Sequence, residues 1–304
     1  MPATVVSSSG RIADWIAVDW GTSNLRVWHM RDAQPLAEAS SDKGMGGLSP
    51  EQFEPALLDL IDAWLPDGER TLVLACGMVG ARQGWAETAY AEVPAPPVSA
   101  ANCTRVPAID PRLDMRIIPG LCQMDPPDVM RGEETQISGF LAGRPSHEGT
   151  LCLPGTHTKW VRVADGHVQS FRTMMTGELF GLLSTHSVLR HSVAEGVDNE
   201  AFAGAARRAQ ADPSALAGAL FGIRAASLLS DLDGAQGGSR LSGLLIGAEI
   251  AAARPSGPIT IIGTGTLAGL YHDALALAGH EVEIADARGV TLAGLCAAYR
   301  EIHP

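Results

Sequence analysis

A short apolar segment, a polar glycine-containing turn and a second short apolar segment occur in this order twice in the chain. The first copy is WIAVDWGTSNLRVW, with its turn at residues 19–24. The second copy is LCLPGTHTKW, with its turn at residues 154–159. Two apolar segments around such a turn predict a β-hairpin. Each half of the chain is therefore predicted to begin with the same strand–turn–strand unit.

The remaining periodicity predicts alternating strands and helices, with no internal repeat of 20–50 residues. A proline-rich stretch from 91 to 111 is predicted to be an irregular covering loop. Polar breaks are expected near 193–200 and 231–240. The predicted strands are 14–19, 25–30, 71–75, 116–119, 151–153, 160–163, 167–173, 259–262 and 282–284, and the predicted helices are 51–64, 131–141, most of 177–253, 267–278 and 288–302.

Length and charge exclude several classes of protein. The 304 residues suffice for two domains, and the net charge of −12 disfavours a nucleic-acid binder. No apolar run approaches the roughly 18 residues that a membrane span requires, so no membrane partner is expected. Five scattered cysteines without a CxxC pair indicate a reducing, cytoplasmic location. The first ten residues are expected to be a frayed tail rather than a secretory signal, and the oligomeric state is left open, a homodimer included.

The first turn has the residue types of a phosphate site. Backbone N–H groups of a tight turn converge on one concavity, which suits phosphate oxygens. Asp19, at the strand end, suits Mg²⁺, and Arg26 could offset charge on a transferring phosphoryl group. The alternative is a plain turn that Asp19 merely closes. The predicted phosphate-binding residues of this turn are Gly21, Thr22, Ser23 and Asn24.

The second turn repeats this chemistry. Gly155 and Thr156 permit close approach of the backbone, while His157 and Lys159 add a donor and a charge. Two such turns could hold the phosphates of a nucleoside triphosphate. Taken alone, the lysine is equally explained as a solvated surface residue and the histidine as a structural one.

A third glycine-rich segment, GTGTLAG, follows a buried strand at 259–262 and opens a helix. Its backbone at Gly263, Thr264 and Gly265 could lie against an adenine ring. The alternative is a helix start capped by Thr264 or Thr266. The GxGxxxG spacing matches a dinucleotide fingerprint poorly, so a nicotinamide-dependent dehydrogenase rests on little.

Two adjacent carboxylates, Glu133 and Glu134, open the helix in MRGEETQISGF. Acids are favoured at a helix N-terminus, so capping alone explains them. One of them could instead accept the proton of a substrate hydroxyl. Neighbouring helical residues point about 100° apart, so only one of the two can do so.

Arg82, Gln83 and Trp85 lie in the glycine-containing segment GMVGARQGW, which follows a short strand. Such a loop could bind a polar ligand, and an ordinary surface loop is the alternative. An anionic substrate would require a cation. Arg82, Arg131 and Arg172 are the candidates, since each is near one of these motifs.

The motifs in this order resemble the actin-like ATPase superfamily, and within it the 2-dehydro-3-deoxygalactonokinase family. The stretches that carry the resemblance are DWGTSNLRVW, GMVGARQGW, IIPGLC, MRGEETQ, PGTHTKW, MTGEL, SGLLIGAE and the final glycine-rich turn. The resemblance implies phosphorylation of 2-dehydro-3-deoxy-galactonate at its 6-hydroxyl by ATP and Mg²⁺, in galactonate or galactose breakdown. It favours Glu134 as the base, because Glu133-Glu134-Thr135 matches the place of the superfamily's Asn-Asp-Thr-like helix start.

The resemblance also implies an α/β fold of two actin-like (ribonuclease H-like) lobes with a cleft between them. We expect a first lobe at 11–147 that binds the sugar acid and phosphate. A second lobe at 148–304 would bind ATP, its last helix packing back on the first lobe. Another sugar or keto-deoxy acid kinase of the same superfamily, or a non-catalytic sugar-sensing protein on this fold, remains an alternative.

Overall fold

The computed structural model describes residues 15–230 and 232–303, which form two compact units. Unit one holds the described residues up to His147, the short segment Asp165–Gln169, and the chain from Ala287 onward. Unit two holds Glu148–Ala164 and Ser170–Asp286. The expected frayed tail and the start of the predicted first lobe, residues 11–14, lie outside the described residues.

Unit one is built on a mixed sheet with strand order β3-β2-β1-β4-β7-β6, and a smaller sheet has the order β5-β8-β9. Its helices are α1 (Phe53–Ile61), α2 (Glu133–Gly143) and the last helix of the chain, α8 (Ala287–Ile302). Its strands are β1 (Trp15–Trp20), β2 (Leu25–Arg31), β3 (Gln34–Ser41), β4 (Thr71–Gly77), β5 (Tyr90–Glu92), β6 (Thr104–Val106), β7 (Leu113–Ile117), β8 (Gly120–Met124) and β9 (Pro127–Met130).

Unit two is built on a sheet with strand order β12-β11-β10-β13-β14. Its strands are β10 (Gly149–Leu153), β11 (Thr158–Ala164), β12 (His167–Met174), β13 (Ile259–Gly263) and β14 (Val282–Asp286). Its helices are α3 (Thr176–His186), α4 (Asn199–Ala211), α5 (Leu216–Leu229), α6 (Gly234–Ala253) and α7 (Gly265–Leu277). The start of β12 and the turn before it are grouped with unit one.

The two sheets share one plan. In unit one β1 pairs antiparallel with β2 and parallel with β4. In unit two β10 pairs antiparallel with β11 and parallel with β13. Each unit therefore starts with a hairpin whose first strand also lies beside a parallel strand from later in the chain. The predicted α/β fold of two actin-like lobes is confirmed.

The core of unit one explains why its central strands are almost wholly apolar. β1 and β4 are buried on both faces, as is typical of parallel strands covered by helices. Phe53 and Leu57 of α1 pack against one face. The last helix, α8 (Ala287–Ile302), packs on the other face, where the rings of Trp15 and Tyr299 stack with their centroids 4.5 Å apart.

Helices α2 and α8 meet at backbone distance. A Cβ atom on Gly139 of α2 would lie 1.8 Å from the carbonyl oxygen of Val290. A Cβ atom on Gly294 of α8 would lie 1.9 Å from the carbonyl oxygen of Thr135. Any side chain at either glycine would separate the helices, so α8 determines where α2 and its first turn lie.

Two expectations about local structure were wrong, and one strand was not predicted. The stretch 91–111 is not one irregular loop. β6 pairs with β7 and forms the edge strand of the main sheet, and β5 pairs with β8 in the smaller sheet. The break at 231–240 is shorter than expected, since α6 begins at Gly234 and the side chain of Asp233 caps it by accepting from the N–H of Gln236. β3 was not predicted, because its residues QPLAEASS carry few apolar side chains. Among the described helices, none combines the length and apolar character needed to cross a membrane.

Candidate active site

The first hairpin turn is closed by a hydrogen bond from the N–H of Gly21 to the carbonyl oxygen of Asn24, at 2.9 Å. Thr22, Ser23 and Asn24 are exposed. Their backbone N–H groups donate to no acceptor in the part of the chain that the structure describes. The turn therefore presents unused donors, as a phosphate site requires.

Asp19 and Arg26 lie directly opposite each other on β1 and β2. The carboxylate oxygen Oδ2 of Asp19 is 3.5 Å from Nη1 of Arg26, and the aspartate side chain is 24% exposed. Burial raises the pKa of Asp19, and the neighbouring guanidinium partly opposes that rise. The pair lies at the end of β1, beside the turn.

The first turn of α2 lies against the carboxyl end of β4. Gly132, with φ of +106°, precedes the helix, and a Cβ atom there would lie 3.3 Å from the Cα of Gly77. The N–H of Gly132 donates to Oε2 of Glu134 at 2.7 Å, and the hydroxyl of Thr135 donates to Oε1 at 3.1 Å. Glu134 is fully buried. Burial, and secondarily the charge of Glu133, raise its pKa to about 8.

A buried thiol links this helix start to the first hairpin. Cys76 of β4 is the register partner of Asp19 on β1. Burial raises the pKa of the Cys76 thiol well above its usual value, and the charges of Asp19 and Glu134 raise it further. Asp19 is the sheet partner of Cys76, and Gly132, just before the two acids, approaches the next residue, Gly77, so the structure brings the end of β1 and the start of α2 together.

Glu133 is the more exposed of the two adjacent acids, being half-buried. Its Oε2 accepts the N–H of Arg131 at 3.0 Å. Each acid therefore accepts a backbone N–H at the start of the helix, which agrees with the alternative that both acids cap the helix. Glu134 is the one that is fully buried, and its charge raises the pKa of the Cys76 thiol.

The contacts of Arg131 do not support its predicted role in binding a substrate carboxylate. Its side chain is buried, and Nη1 donates to the hydroxyl of Thr88. Nη2 donates to the carbonyl oxygen of Thr88 at 3.0 Å, and the guanidinium lies 4.3 Å from the ring centroid of Tyr90. Arg131 instead fastens the segment before β5 to the strand that leads into α2.

Arg82 and Gln83 are exposed in the loop after β4. Trp85, half-buried, packs its ring 6.2 Å from Trp20 and 6.4 Å from Phe53. This loop therefore offers two polar side chains beside an aromatic ring that the core holds in place.

Arg172 belongs to β12 in unit two, where its Nη1 donates to the carbonyl oxygen of Ala252 at 3.1 Å. Ala252 lies near the C-terminal end of α6. This contact satisfies an orphan helix carbonyl and does not support the predicted binding of a substrate carboxylate by Arg172.

The second hairpin turn, around Gly155 and Thr156, is in contact with the start of α3. The N–H of Glu178 donates to the carbonyl oxygen of Thr156 at 2.9 Å. The carboxylate of Glu178 lies 2.6 Å from Nε2 of His157. Because a carboxylate only accepts hydrogen bonds, Nε2 of the exposed His157 ring is the nitrogen that carries the proton.

Lys159 is neither a solvated surface lysine nor an exposed member of the turn. The residue is buried, and its Nζ donates to the hydroxyl of Thr173 at 2.8 Å. The alternative of a solvated surface lysine is therefore wrong, because the neighbouring strand β12 covers this position. The predicted role of Lys159 in phosphate binding stays a prediction.

Beneath the second turn lies a buried carboxylate, Glu249 of α6. It accepts the indole N–H of Trp160 at 2.7 Å and the hydroxyl of Tyr271 at 2.8 Å. The Tyr271 oxygen is in turn 2.7 Å from the hydroxyl of Thr158 in the hairpin. Burial raises the pKa of Glu249, while these donors and Thr176 lower it. The network joins β11, α3, α6 and α7.

A cavity of about 400 Å³ opens beside this turn in unit two. A neighbouring cavity of about 480 Å³ shares Phe180, Ser242, Thr266 and Leu270 with it. The predicted adenine-contacting residues Gly263, Thr264 and Gly265 do not line either cavity; the next residues of α7 do. The first cavity is lined by Gly155, Thr156, Thr176, Gly177, Phe180, Ser242, Leu245, Ile246, Thr266, Leu267, Leu270 and Tyr271.

Comparison with known proteins adds a decisive observation. The model of the 2-keto-3-deoxy-galactonokinase family matches residues 19–298. The chain belongs to this family. It is 42% identical over 302 residues to a 2-dehydro-3-deoxygalactonokinase of Rhizobium meliloti (strain 1021), covering 95% of this chain and 98% of that one. It is 35% identical over 277 residues to the 2-dehydro-3-deoxygalactonokinase of Escherichia coli (strain K12), covering 89% and 92%.

A crystal structure titled as a 2-dehydro-3-deoxygalactonokinase protein from Sinorhizobium meliloti is similar to this one, with a TM-score of 0.89 and 41% identity. It covers 95% of this chain and 99% of that chain. The family match confirms the predicted resemblance, and with it the assignment of the chain as a phosphotransferase of the galactonokinase type.

Sequence reasoning did not assign several residues that the structure places at these turns. Glu178 and Glu249 lie in the stretches MTGEL and SGLLIGAE, which carry the family resemblance. Neither residue was given a role from the sequence. Gly44, which lies against the first turn, is in the segment DKGMGG, which carried no signal beyond its glycines.

Proposed function

We propose that this chain transfers the terminal phosphoryl group of ATP to the 6-hydroxyl of 2-dehydro-3-deoxygalactonate. The observation that carries the proposal is that the end of β1, with Asp19, and the start of α2, with Glu134, meet at Cys76 and Gly77 of β4, next to a turn with unused N–H groups. A metal-binding or charge-stabilising acid and a proton acceptor are the two carboxylates that phosphoryl transfer to an alcohol requires. The names of the related kinases supply the substrate.

The nucleotide is assigned to unit two. Its cavity of about 400 Å³ is lined by apolar and small polar residues and reaches Gly155 and Thr156 of the second turn. Apolar walls suit a nucleoside, and the turn suits phosphates. Its walls include Leu267 and Leu270 of α7, in place of the glycines expected from the sequence.

The residues fit a magnesium ion that is bound mainly by phosphates and water. Mg²⁺ usually retains several waters and takes one or two carboxylates. Asp19 is such a carboxylate, and among the described residues no group of three or more His, Cys, Asp or Glu forms a closed metal cage. Asp19 would hold the ion or its water. The ion would neutralise charge on the phosphates when bound.

Each protein group then has a defined part in the transfer. Glu134 accepts the proton of the 6-hydroxyl as its oxygen bonds to the γ-phosphorus, and the bond from that phosphorus to the bridging oxygen of ADP breaks. A raised pKa places the acid near the working pH, where a general base is most effective. In unit one, Arg26 opposes the charge on the transferring group, and the first turn offers N–H groups to phosphate oxygens. In unit two, His157 and the second turn bind phosphate oxygens of the nucleotide.

Unit one is assigned the sugar acid. Arg82 and Gln83 are exposed in the same loop as the half-buried Trp85, so this loop offers a cation and an amide to a ligand. The carboxylate of the substrate pairs with Arg82, which takes this role because Arg131 and Arg172 have other partners.

The test is Asp19→Ala, with Asp67→Ala as the matched control. Asp67 is an exposed acid of the same unit, in the turn beyond α1. We expect Asp19→Ala to abolish turnover with an unchanged melting temperature, and Asp67→Ala to behave as wild type. Normal turnover by folded Asp19→Ala would remove the metal role assigned to this residue.

A further inference from the structure

A glycine from another segment lies against the first phosphate-type turn. A Cβ atom on Gly44 would lie 2.3 Å from the carbonyl oxygen of Thr22, 2.3 Å from the carbonyl carbon of Ser23 and 2.5 Å from the nitrogen of Asn24. All three contacts are with backbone, which cannot rotate away as a side chain can. Gly44 itself has φ of −72° and ψ of 165°, a conformation open to any residue. The glycine is required by proximity to the turn and not by its own conformation.

The residues after Gly44 bind the carbonyl groups of the same turn. The N–H of Met45 donates to the carbonyl oxygen of Gly21 at 3.0 Å, and the N–H of Gly46 donates to that of Thr22 at 2.9 Å. The indole N–H of Trp20 donates to the carbonyl oxygen of Lys43 at 3.0 Å. With its carbonyls bound on one side, the turn has its N–H groups left for a ligand.

The second turn is supported in the same way. A Cβ atom on Gly177, at the start of α3, would lie 2.3 Å from the carbonyl oxygen of Gly155 and 2.9 Å from the Cα of Thr156. The next residue, Glu178, donates its N–H to the carbonyl oxygen of Thr156 at 2.9 Å. Gly177 is helical, so again only the close approach excludes a side chain.

From these contacts we propose that Gly44 and Gly177 are positioning residues for phosphoryl transfer. Each allows a supporting segment to lie against one turn, occupy its carbonyl groups and fix its N–H groups for phosphate oxygens. Neither glycine contacts the phosphates. The inference rests on the proposed function, because it assumes that each turn binds phosphate oxygens.

Alanine substitutions test the proposal, and the chain supplies a matched control for each. Gly47 lies in the same segment as Gly44, and Gly181 lies one helical turn beyond Gly177 in α3. A Cβ atom on either control glycine would meet no heavy atom within 4 Å. All four variants add the same methyl group. In Gly44→Ala and Gly177→Ala it would contact a turn, and in Gly47→Ala and Gly181→Ala it would not.

We expect Gly44→Ala and Gly177→Ala each to lower kcat at least tenfold and to raise the KM for ATP. The KM for the sugar acid should stay within twofold of wild type. Gly47→Ala and Gly181→Ala should match wild type in all three constants. A loss shared equally by both KM values, or wild-type kinetics in folded Gly44→Ala and Gly177→Ala, would overturn the proposal.

Amide hydrogen exchange on the wild-type protein decides the matter if a variant fails to fold. The amides of Met45, Gly46 and Glu178 should exchange slowly with or without Mg·ADP or Mg·AMPPNP. The amides of residues 22–24 should exchange fast alone and be protected by nucleotide. Fast exchange at Met45, Gly46 and Glu178 would show that these amides do not hold the turns, and would refute the proposal. Slow exchange there without any nucleotide effect on residues 22–24 would instead count against the proposed function.

Discussion

At the scale of single residues, the main question is which of two adjacent acids takes the proton. The sequence places Glu133 and Glu134 side by side, and helical geometry allows only one of them to face the substrate. The structure separates them. Glu133 is half-buried and caps the N–H of Arg131. Glu134 is fully buried near the Cys76 thiol and has its pKa raised to about 8.

This difference predicts a pH dependence. A raised pKa means that the acid holds its proton up to about pH 8, and a base acts only when unprotonated. kcat/KM should therefore rise with pH and level off above about 8. Glu134→Gln should lower kcat by roughly 10²- to 10⁴-fold, and Glu133→Gln by much less. Rate profiles of the three proteins over pH 5.5–9.5 provide the check. A severe loss in Glu133→Gln with an active Glu134→Gln would reverse the assignment.

The arginine that binds the substrate carboxylate can be tested at the same scale. Arg82 is exposed beside Trp85, whereas Arg172 is bound to the carbonyl oxygen of Ala252. Arg82→Ala should raise the KM for the sugar acid about tenfold or more, the loss of one charge-assisted hydrogen bond, and leave the KM for ATP unchanged. Arg172→Ala is the control and should leave both constants unchanged. Steady-state kinetics in which only Arg172→Ala raised the sugar-acid KM would contradict the assignment.

At the scale of elements, α2 presents Glu134 only because α8 holds it against the sheet. Gly139 lets the two helices meet, since a Cβ atom there would lie 1.8 Å from the carbonyl oxygen of Val290. Gly139→Ala should lower the free energy of unfolding by about 1–3 kcal/mol through overpacking. Gly143, in the same helix, has no heavy atom within 4 Å of such a Cβ. Gly143→Ala should be neutral or stabilise by up to about 1 kcal/mol. Urea denaturation compares them, and equal stabilities would show that α2 and α8 do not need this contact.

Elements also show what the sequence could and could not predict. The hairpins, the helix start at 133 and the strand before the late turn were predicted because their periodicity and turn residues are local signals. The burial of Lys159 beneath β12 and the attachment of Arg131 to Thr88 were not, because both depend on how separate strands and loops pack, which no local pattern reports. The support of the first turn by Gly44 was missed for the same reason.

At the scale of the whole molecule, the two units repeat one sheet plan and one kind of turn. The order of motifs along the chain sufficed to predict the actin-like fold, since each motif marks the same place in that plan. The identity of the sugar depends on finer detail. The galacto and gluco epimers of the substrate differ in the orientation of one hydroxyl group, and no sequence motif reports that.

The most direct test of the proposed function is a coupled ADP-release assay on the wild-type protein with Mg·ATP. It compares 2-dehydro-3-deoxygalactonate, its gluco epimer and no sugar. We expect rapid ADP release with the galacto acid and background release without sugar. The rate with the gluco epimer measures how strongly the enzyme discriminates by the orientation of that hydroxyl group. Background release with both acids, from protein shown to be folded by its thermal transition, would contradict the proposed function.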